Sequence, residues 1–228
     1  MAQREPSNLA IVRQVPLFQK FNDAQLGQVC GMLKPRRYRK GEIIFHQGDE
    51  GAHVYLLCRG RVRIYLANAD GREATVRIYR PYSAFGEIAV LDGAPRSASA
   101  AALADIETLS LHRDDFLGLL RQHFDLVLQM FALLTERLRY TTYYSERLAF
   151  MSGPARVAAT LVQLANAEPL GAAPTRLDLT QQELAEFTNT TREWANRILH
   201  DFAAQGLIAL ERGAVVVRDR EGLRALVG

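Results

Sequence analysis

The stretch Phe85-Gly-Glu-Ile-Ala-Val-Leu-Asp-Gly-Ala-Pro-Arg-Ser97 gathers the residue types that a sugar bearing a phosphate would need. Gly86 lets a ligand or a neighbouring backbone come close because it has no Cβ. Glu87 offers a carboxylate that can accept from a ribose hydroxyl, while Arg96 and the Ser97 hydroxyl can donate to an anionic phosphate. Gly-Glu or Arg-Ser alone describes many surface turns. The combined pattern in a glycine-punctuated segment suits convergence on one cyclic nucleotide.

A second set lies on Arg192 to Gln205. Ala195, Ile198, Leu199 and Phe202 follow i, i+3, i+4, i+7 and predict an inward helix face. The opposite face carries Arg192, Glu193, Asn196, Arg197 and His200. Guanidinium can bind guanine bidentately and a carboxylate can accept from cytosine N4, so Arg192, Glu193 and Arg197 form a G/C-reading set where a recognition helix places its base contacts. Other chemistries lack their residues. Cys30 and Cys58 are too few for a disulfide framework, a four-thiolate zinc site or an iron–sulfur centre. His46 and His53 find no third ligand for a metal cupin, and His112 and His123 complete no recognisable haem site, so no metal and no enzyme activity is expected.

The elements that must position these residues are legible in outline. Glu42–Phe45, Val54–Cys58, Val62–Leu66, Thr75–Tyr79 and Ile106–Leu111 read as short strands between glycine-rich turns, including His46-Gln-Gly48, which predicts an antiparallel sandwich or rolled barrel. From Asp114 a helical period begins, with no proline or glycine from Leu119 through Ser152. Val127, Phe131, Leu134, Leu138, Thr141, Ser145 and Leu148 form a heptad seam, predicted to pair two parallel helices in a homodimer. Thr141 and Ser145 interrupt it; polar seam residues cost stability, so they set register or contact something.

Gly153-Pro154 marks a boundary, followed by a helix over 155–167 and a loop over 168–176, a candidate polymerase contact by position. Thr180-Gln-Gln-Glu183 and Thr190-Thr191-Arg192-Glu193 read as capping boxes opening two helices separated by a turn at Asn189. Leu207–Leu210 and Ala214–Arg218, joined by Glu211-Arg-Gly213, predict a wing. The expected division is 1–123 with amino-terminal helices, 124–152, and 153–228.

The composition agrees with a folded chain of 228 residues, 48% hydrophobic and 23% charged. The net charge of +3 is uneven: residues 1–150 carry 20 cations and 16 anions, residues 151–228 carry 8 and 9, so the expected DNA-binding part is not basic overall. Twenty-five of the 28 cations are arginine. No apolar run reaches membrane-spanning length and Met1–Ala10 lacks a secretory core, predicting no membrane partner and a cytoplasmic location.

With His46-Gln-Gly48, Phe85-Gly-Glu87 to Arg96-Ser97, Arg137-Leu138 to Leu148-Ala-Phe150 and Arg192-Glu193 to Arg197-Ile-Leu199 in this order, the chain resembles the CRP/FNR family of transcription regulators over nearly its full length. The resemblance implies an α+β fold: an amino-terminal antiparallel β-roll of the cyclic-nucleotide-binding, jelly-roll-like type, a long dimerisation helix and a carboxy-terminal winged helix-turn-helix. It implies a nucleotide site of Gly86, Glu87, Ile88, Arg96, Ser97 and Arg137, with Arg137 near Glu87 and the hydroxyls of Thr141 and Thr142 on adenine. It also implies a DNA surface of Thr180, Thr191, Arg192, Glu193, Asn196, Arg197 and His200. The implied effector is cAMP, with cyclic di-GMP or no ligand as the alternative. The implied partners are double-stranded DNA with TGTGA-like half-sites, a second copy of the chain, and RNA polymerase. Five positions depart from the family pattern: Tyr82 and Ser83 replace the usual Gly-Asp of the turn, Trp194 replaces a small residue, and Asn196 and Asn189 replace glycines.

Overall fold

The computed structural model describes residues 8–71, 73–166, 174–188 and 190–227, without the side chains of 147 and 148. They divide into two compact units, 1–72 with 76–138, and 73–75 with 139–228.

In the first unit, helices α1 (Asn8–Gln14) and α2 (Asp23–Met32) precede two four-stranded antiparallel sheets, and a short helix, α3 (Glu87–Asp92), lies between two of their strands in sequence. One sheet orders β1 (Lys34–Tyr38), β8 (Ile106–His112), β3 (His53–Arg59) and β6 (Ala84–Phe85). The other orders β2 (Ile43–Phe45), β7 (Ser99–Ala102), β4 (Val62–Ala67) and β5 (Glu73–Tyr79). Crossovers between non-consecutive strands give the expected rolled β-domain. All five expected strands are present, but β1, β6 and β7 were not foreseen. β1 reads KPRRY, with four of five residues exposed, and its proline is tolerated because β1 is an edge strand. β7 reads SAAA, a composition with little intrinsic strand preference, held by pairing to β2 and β4.

The central strand β3 shows the two-fold alternation at work. Val54 and Leu56 face a core with Leu109, Leu111, the amino-terminal helices and Phe116. Tyr55 and Leu57 face a second core with Val62, Tyr79, Phe85 and Ile106. The helical period after Asp114 is two helices, α4 (Arg113–Gln122) and α5 (Phe124–Phe150), separated at His123 in an extended conformation. Leu126 and Met130 of α5 are buried in the first core, with Leu133 and Leu134 packed partly against it.

In the second unit, α6 (Gly153–Asn166), α7 (Gln181–Thr188), α8 (Arg192–Ala204) and α9 (Arg220–Ala225) surround an antiparallel sheet ordered β10 (Ile208–Glu211), β11 (Ala214–Val217), β9 (Thr175–Leu177). The wing is thus three-stranded: Thr175–Leu177, which the sequence placed partly in a loop, pairs with Val215–Val217. The rest of that loop through 173, with Ala167 and Asn189, lies outside the described residues. The Thr180–Glu183 box is reciprocal, Thr180 N–H donating to Glu183 Oε2 at 2.7 Å and Glu183 N–H to Thr180 Oγ1 at 3.1 Å. The second expected box, Thr190–Glu193, does not form, and a simple cap one residue later opens α8. Thr191 is the cap, accepting from Trp194 N–H at 3.3 Å, because Thr190 turns back to share a hydrogen bond with Thr188 Oγ1 at 2.9 Å.

Candidate functional site

In the first unit the predicted cassette folds as one piece. Gly86 adopts φ 79°, and a Cβ there would lie 2.8 Å from Arg96 Nη1 and 3.3 Å from the His53 carbonyl oxygen. Only glycine admits the turn and the buried guanidinium together. The turn at His46 to Asp49 holds the other end: Gly48 N–H donates to Arg96 O at 2.9 Å, and Arg96 N–H to Asp49 O at 2.8 Å.

The Arg96 side chain is 5% exposed. It donates to the carbonyls of Gly86 and of His53, the latter at 2.9 Å, and lies 4.2 Å from the Phe45 ring centroid. Its Nε is buried with no partner among the described residues, and burial pulls its pKa below the ordinary guanidinium value. Glu87 is fully buried and pairs with Arg137 Nη1 through Oε1, while Arg137 Nη2 donates to Ala84 O at 2.6 Å. Burial likewise lowers the Arg137 pKa, and Glu87 Oε2 is left buried with no partner. A charged acceptor and a cationic donor, both buried and incompletely satisfied, form an arrangement that a ligand with a hydroxyl and an anionic group would complete.

A run of aromatic rings connects the two arginines. Tyr55 stacks on Phe85 at 5.2 Å, Tyr79 stacks on Phe85 at 6.1 Å, and Arg137 lies 5.1 Å from the Tyr79 centroid. Phe45, Tyr55 and Tyr79 were not singled out from the sequence. The available signal was their alternation on inward strand positions, which only pairing converts into proximity. Ser97 and Ile88 are exposed at the cassette, and Thr141 and Thr142 are exposed on α5, one turn beyond Arg137. Tyr82 adopts φ 70°, a left-handed backbone that costs a bulky residue energy.

The expected seam on α5 is only partly open. Phe131 and Leu138 are 62% and 67% exposed, and Thr141 and Ser145 are exposed. Val127 and Leu134 are half-buried, Leu134 against its own core, and the side chain of Leu148 lies outside the described residues. Phe124 and Leu128 are exposed as well, so the open apolar stripe keeps Phe131 and Leu138 of the predicted seam and turns by roughly half a residue towards Leu128.

In the second unit Ala195, Ile198, Leu199 and Phe202 are buried, while Thr191, Arg192, Glu193, Arg197 and His200 are exposed along one side of α8. Thr180 is exposed, its hydroxyl engaged in the cap of α7. Asn196 is half-buried, with a buried Oδ1 lacking a partner. Two groups of potential contacts therefore exist, one centred on the buried Glu87 and Arg96 and an exposed one on a helix.

Comparison with known proteins decides what such a pair of units is. The cyclic nucleotide-binding domain family matches residues 35–123 and the Crp-like helix-turn-helix domain family matches residues 155–226. The CRP-like cAMP-activated global transcriptional regulator of Mycobacterium tuberculosis is 32% identical over 216 residues, covering 93% of this chain and 96% of that protein. The cyclic AMP receptor protein of Thermus thermophilus is 35% identical over 204 residues, covering 90% and 93%. The chain belongs to the CRP/FNR family of transcription regulators.

Among solved structures, the Thermus thermophilus catabolite activator protein is 33% identical with a TM-score of 0.54, covering 93% of this chain and 98% of that one. The c-di-GMP-responsive global regulator of Xanthomonas campestris superposes with a TM-score of 0.77 at 24% identity, covering 86% and 99%, which is a likeness of fold. As a CRP/FNR-family member, the chain is a DNA-binding transcription regulator with a cyclic nucleotide-binding domain. Among the described residues no helix is long and apolar enough to cross a membrane. The thiol of Cys58 is pushed up to about 11, first by burial and then by the charge of Glu107, so it is a poor nucleophile near neutral pH.

Proposed function

We propose that this regulator responds to cAMP and binds, as a homodimer, a palindromic operator with TGTGA-like half-sites, where it contacts RNA polymerase. The observation that carries the nucleotide reading is the buried, unpartnered Oε2 of Glu87 in one cassette with the buried, unpartnered Nε of Arg96. A ribose hydroxyl would satisfy the first, and a cyclic phosphate would draw the Arg96 guanidinium and the exposed Ser97 hydroxyl. The cAMP named in the two relatives above, and the exposed Thr141 and Thr142 hydroxyls, support adenine as the base. The exposed Phe124, Leu128, Phe131 and Leu138 support pairing of two α5 helices, which would present two α8 helices to half-sites about one DNA turn apart. Nucleotide regulates DNA affinity to the extent that it binds one packing of the dimer better than the other.

The test is calorimetric titration of nucleotide-free protein with cAMP, cGMP and cyclic di-GMP in parallel, with Ser97→Ala and Arg96→Ala beside the native chain. Because Arg96 also holds two carbonyls, the exposed Ser97 is the cleaner probe. Micromolar cAMP binding weakened in both variants is expected; preference for cyclic di-GMP, or heat from none of the three, overturns the effector reading. On the DNA side, Arg197→Ala is expected to lose about 1–3 kcal/mol of operator affinity with nucleotide binding intact.

A further inference from the structure

The only tryptophan of the chain stands third on the recognition helix, where an indole could lie on DNA. Its surroundings point elsewhere. Trp194 shares the α8 face of Ile198 and Phe202 and packs against the core of the second unit. Its six-membered ring covers Gly153, the first residue of α6, so closely that a Cβ built on Gly153 would overlap the ring, with even Cζ3 at 3.0 Å. Gly153 has no left-handed backbone to explain it. Its lack of a side chain is used by the indole.

A second contact closes the same joint. Arg156 on α6 donates from Nη1 to the Met151 carbonyl at 3.0 Å and from Nε to the Thr188 carbonyl at 3.3 Å. Met151 directly follows α5, and Thr188 ends α7 just before the turn into α8. Thr188 is itself fixed, its Oγ1 donating to Leu184 O at 2.8 Å. The end of α5, the start of α6 and the α7–α8 turn are therefore tied by one guanidinium and one indole.

On the reading that α8 is the DNA-recognition helix, we propose that Trp194 is a positioning residue, matched to Gly153, that sets the angle of α8 against the end of α5 and makes no DNA contact of its own. Arg192, Glu193, Arg197 and His200 then reach the groove in a register fixed by the indole–glycine contact. Trp194 thereby governs discrimination between operator and other DNA. The chain's one fluorophore of this kind sits at the joint, which makes the proposal directly measurable.

The experiment uses the full-length chain with its nucleotide, an operator selected from random duplexes by the native protein, and a scrambled duplex of equal length. Trp194→Ala and Gly153→Ala are each expected to lower operator affinity tenfold or more, with scrambled-duplex affinity within about twofold and far-UV circular dichroism retained. Trp194→Phe should stay within about threefold of native, and the double variant Gly153→Ala/Trp194→Leu should recover much of the loss of Gly153→Ala. In the native protein, acrylamide quenching of Trp194 should be unchanged by operator, whereas Gly153→Ala should increase it. Native operator affinity in Trp194→Ala, no recovery in the double variant, or protection of the indole by operator overturns the proposal. The comparison of quenching with and without operator uses the native protein alone. Failure of the native chain to select any duplex would instead overturn the DNA-recognition reading of α8.

Discussion

Removing Arg137 tests the cassette most directly, because among the described residues it is the side chain that donates to the buried Glu87 carboxylate. Glu87 is 0% exposed, its Oε1 meets Arg137 Nη1, its Oε2 meets nothing, and Ala84 O would lose the donor that Arg137 Nη2 supplies. Breaking a buried pair from one side strands the other charge, at about 3–5 kcal/mol. That is a large part of the roughly 5–15 kcal/mol that stabilises a domain, and at about 2–4 °C per kcal/mol it lowers the melting temperature by roughly 10 °C. Arg137→Ala, Glu87→Gln and the double variant would be unfolded in urea at pH 7 and followed by far-UV circular dichroism. Arg137→Ala should be the least stable of the three. The double variant should recover about 1–2 kcal/mol, because a buried amide without a partner costs less than a buried carboxylate. Arg137→Ala within about 1 kcal/mol of native stability, or a double variant no better than Arg137→Ala, would refute the reasoning from the stranded charge.

Two further outcomes are expected from the same unit. Tyr82→Gly should stabilise the protein in urea by about 0.5–1 kcal/mol, because relief of the left-handed tyrosine, about 1–2 kcal/mol, exceeds the extra chain entropy of glycine, about 0.4–1 kcal/mol; a loss of stability would mean that the exposed ring packs usefully. The fold holds His53 below its ordinary pKa of 6.5, first by burial and then by the charges of His112, Arg36, Arg96 and Lys34. As pH falls through 6.5 the unfolded chain takes up a proton that the folded one resists, so this contribution to stability is complete above 6.5 and lost towards the lower folded value. The melting temperature of the native protein should therefore fall more between pH 7 and pH 5 than that of His53→Gln; equal falls would remove His53 from this role.

Short-range chemistry was legible in the chain itself. The Thr180–Glu183 box, the inward face of α8 and five of the eight strands of the β-domain follow from spacing and periodicity, because backbone pairing and apolar burial repeat with fixed periods. The cassette was legible for a related reason: Gly86, Glu87, Arg96 and Ser97 lie within one short segment, where residue type already constrains what can meet. Where a strand is polar or alanine-rich, as β1 and β7 are, the neighbours decide, and those neighbours are distant in sequence.

Only tertiary structure decided which groups lack partners. That Glu87 presents one satisfied and one orphaned oxygen depends on Arg137, fifty residues away. That Arg96 lies under Phe45 and on the His53 carbonyl depends on pairing between non-consecutive strands. The phase of the open stripe on α5 was set by the core that claims Leu126, Met130 and part of Leu134, a choice no heptad count contains. Trp194 is the sharpest case: only the fold sets its indole over Gly153, a residue far off in sequence, because close packing is a property of pairs.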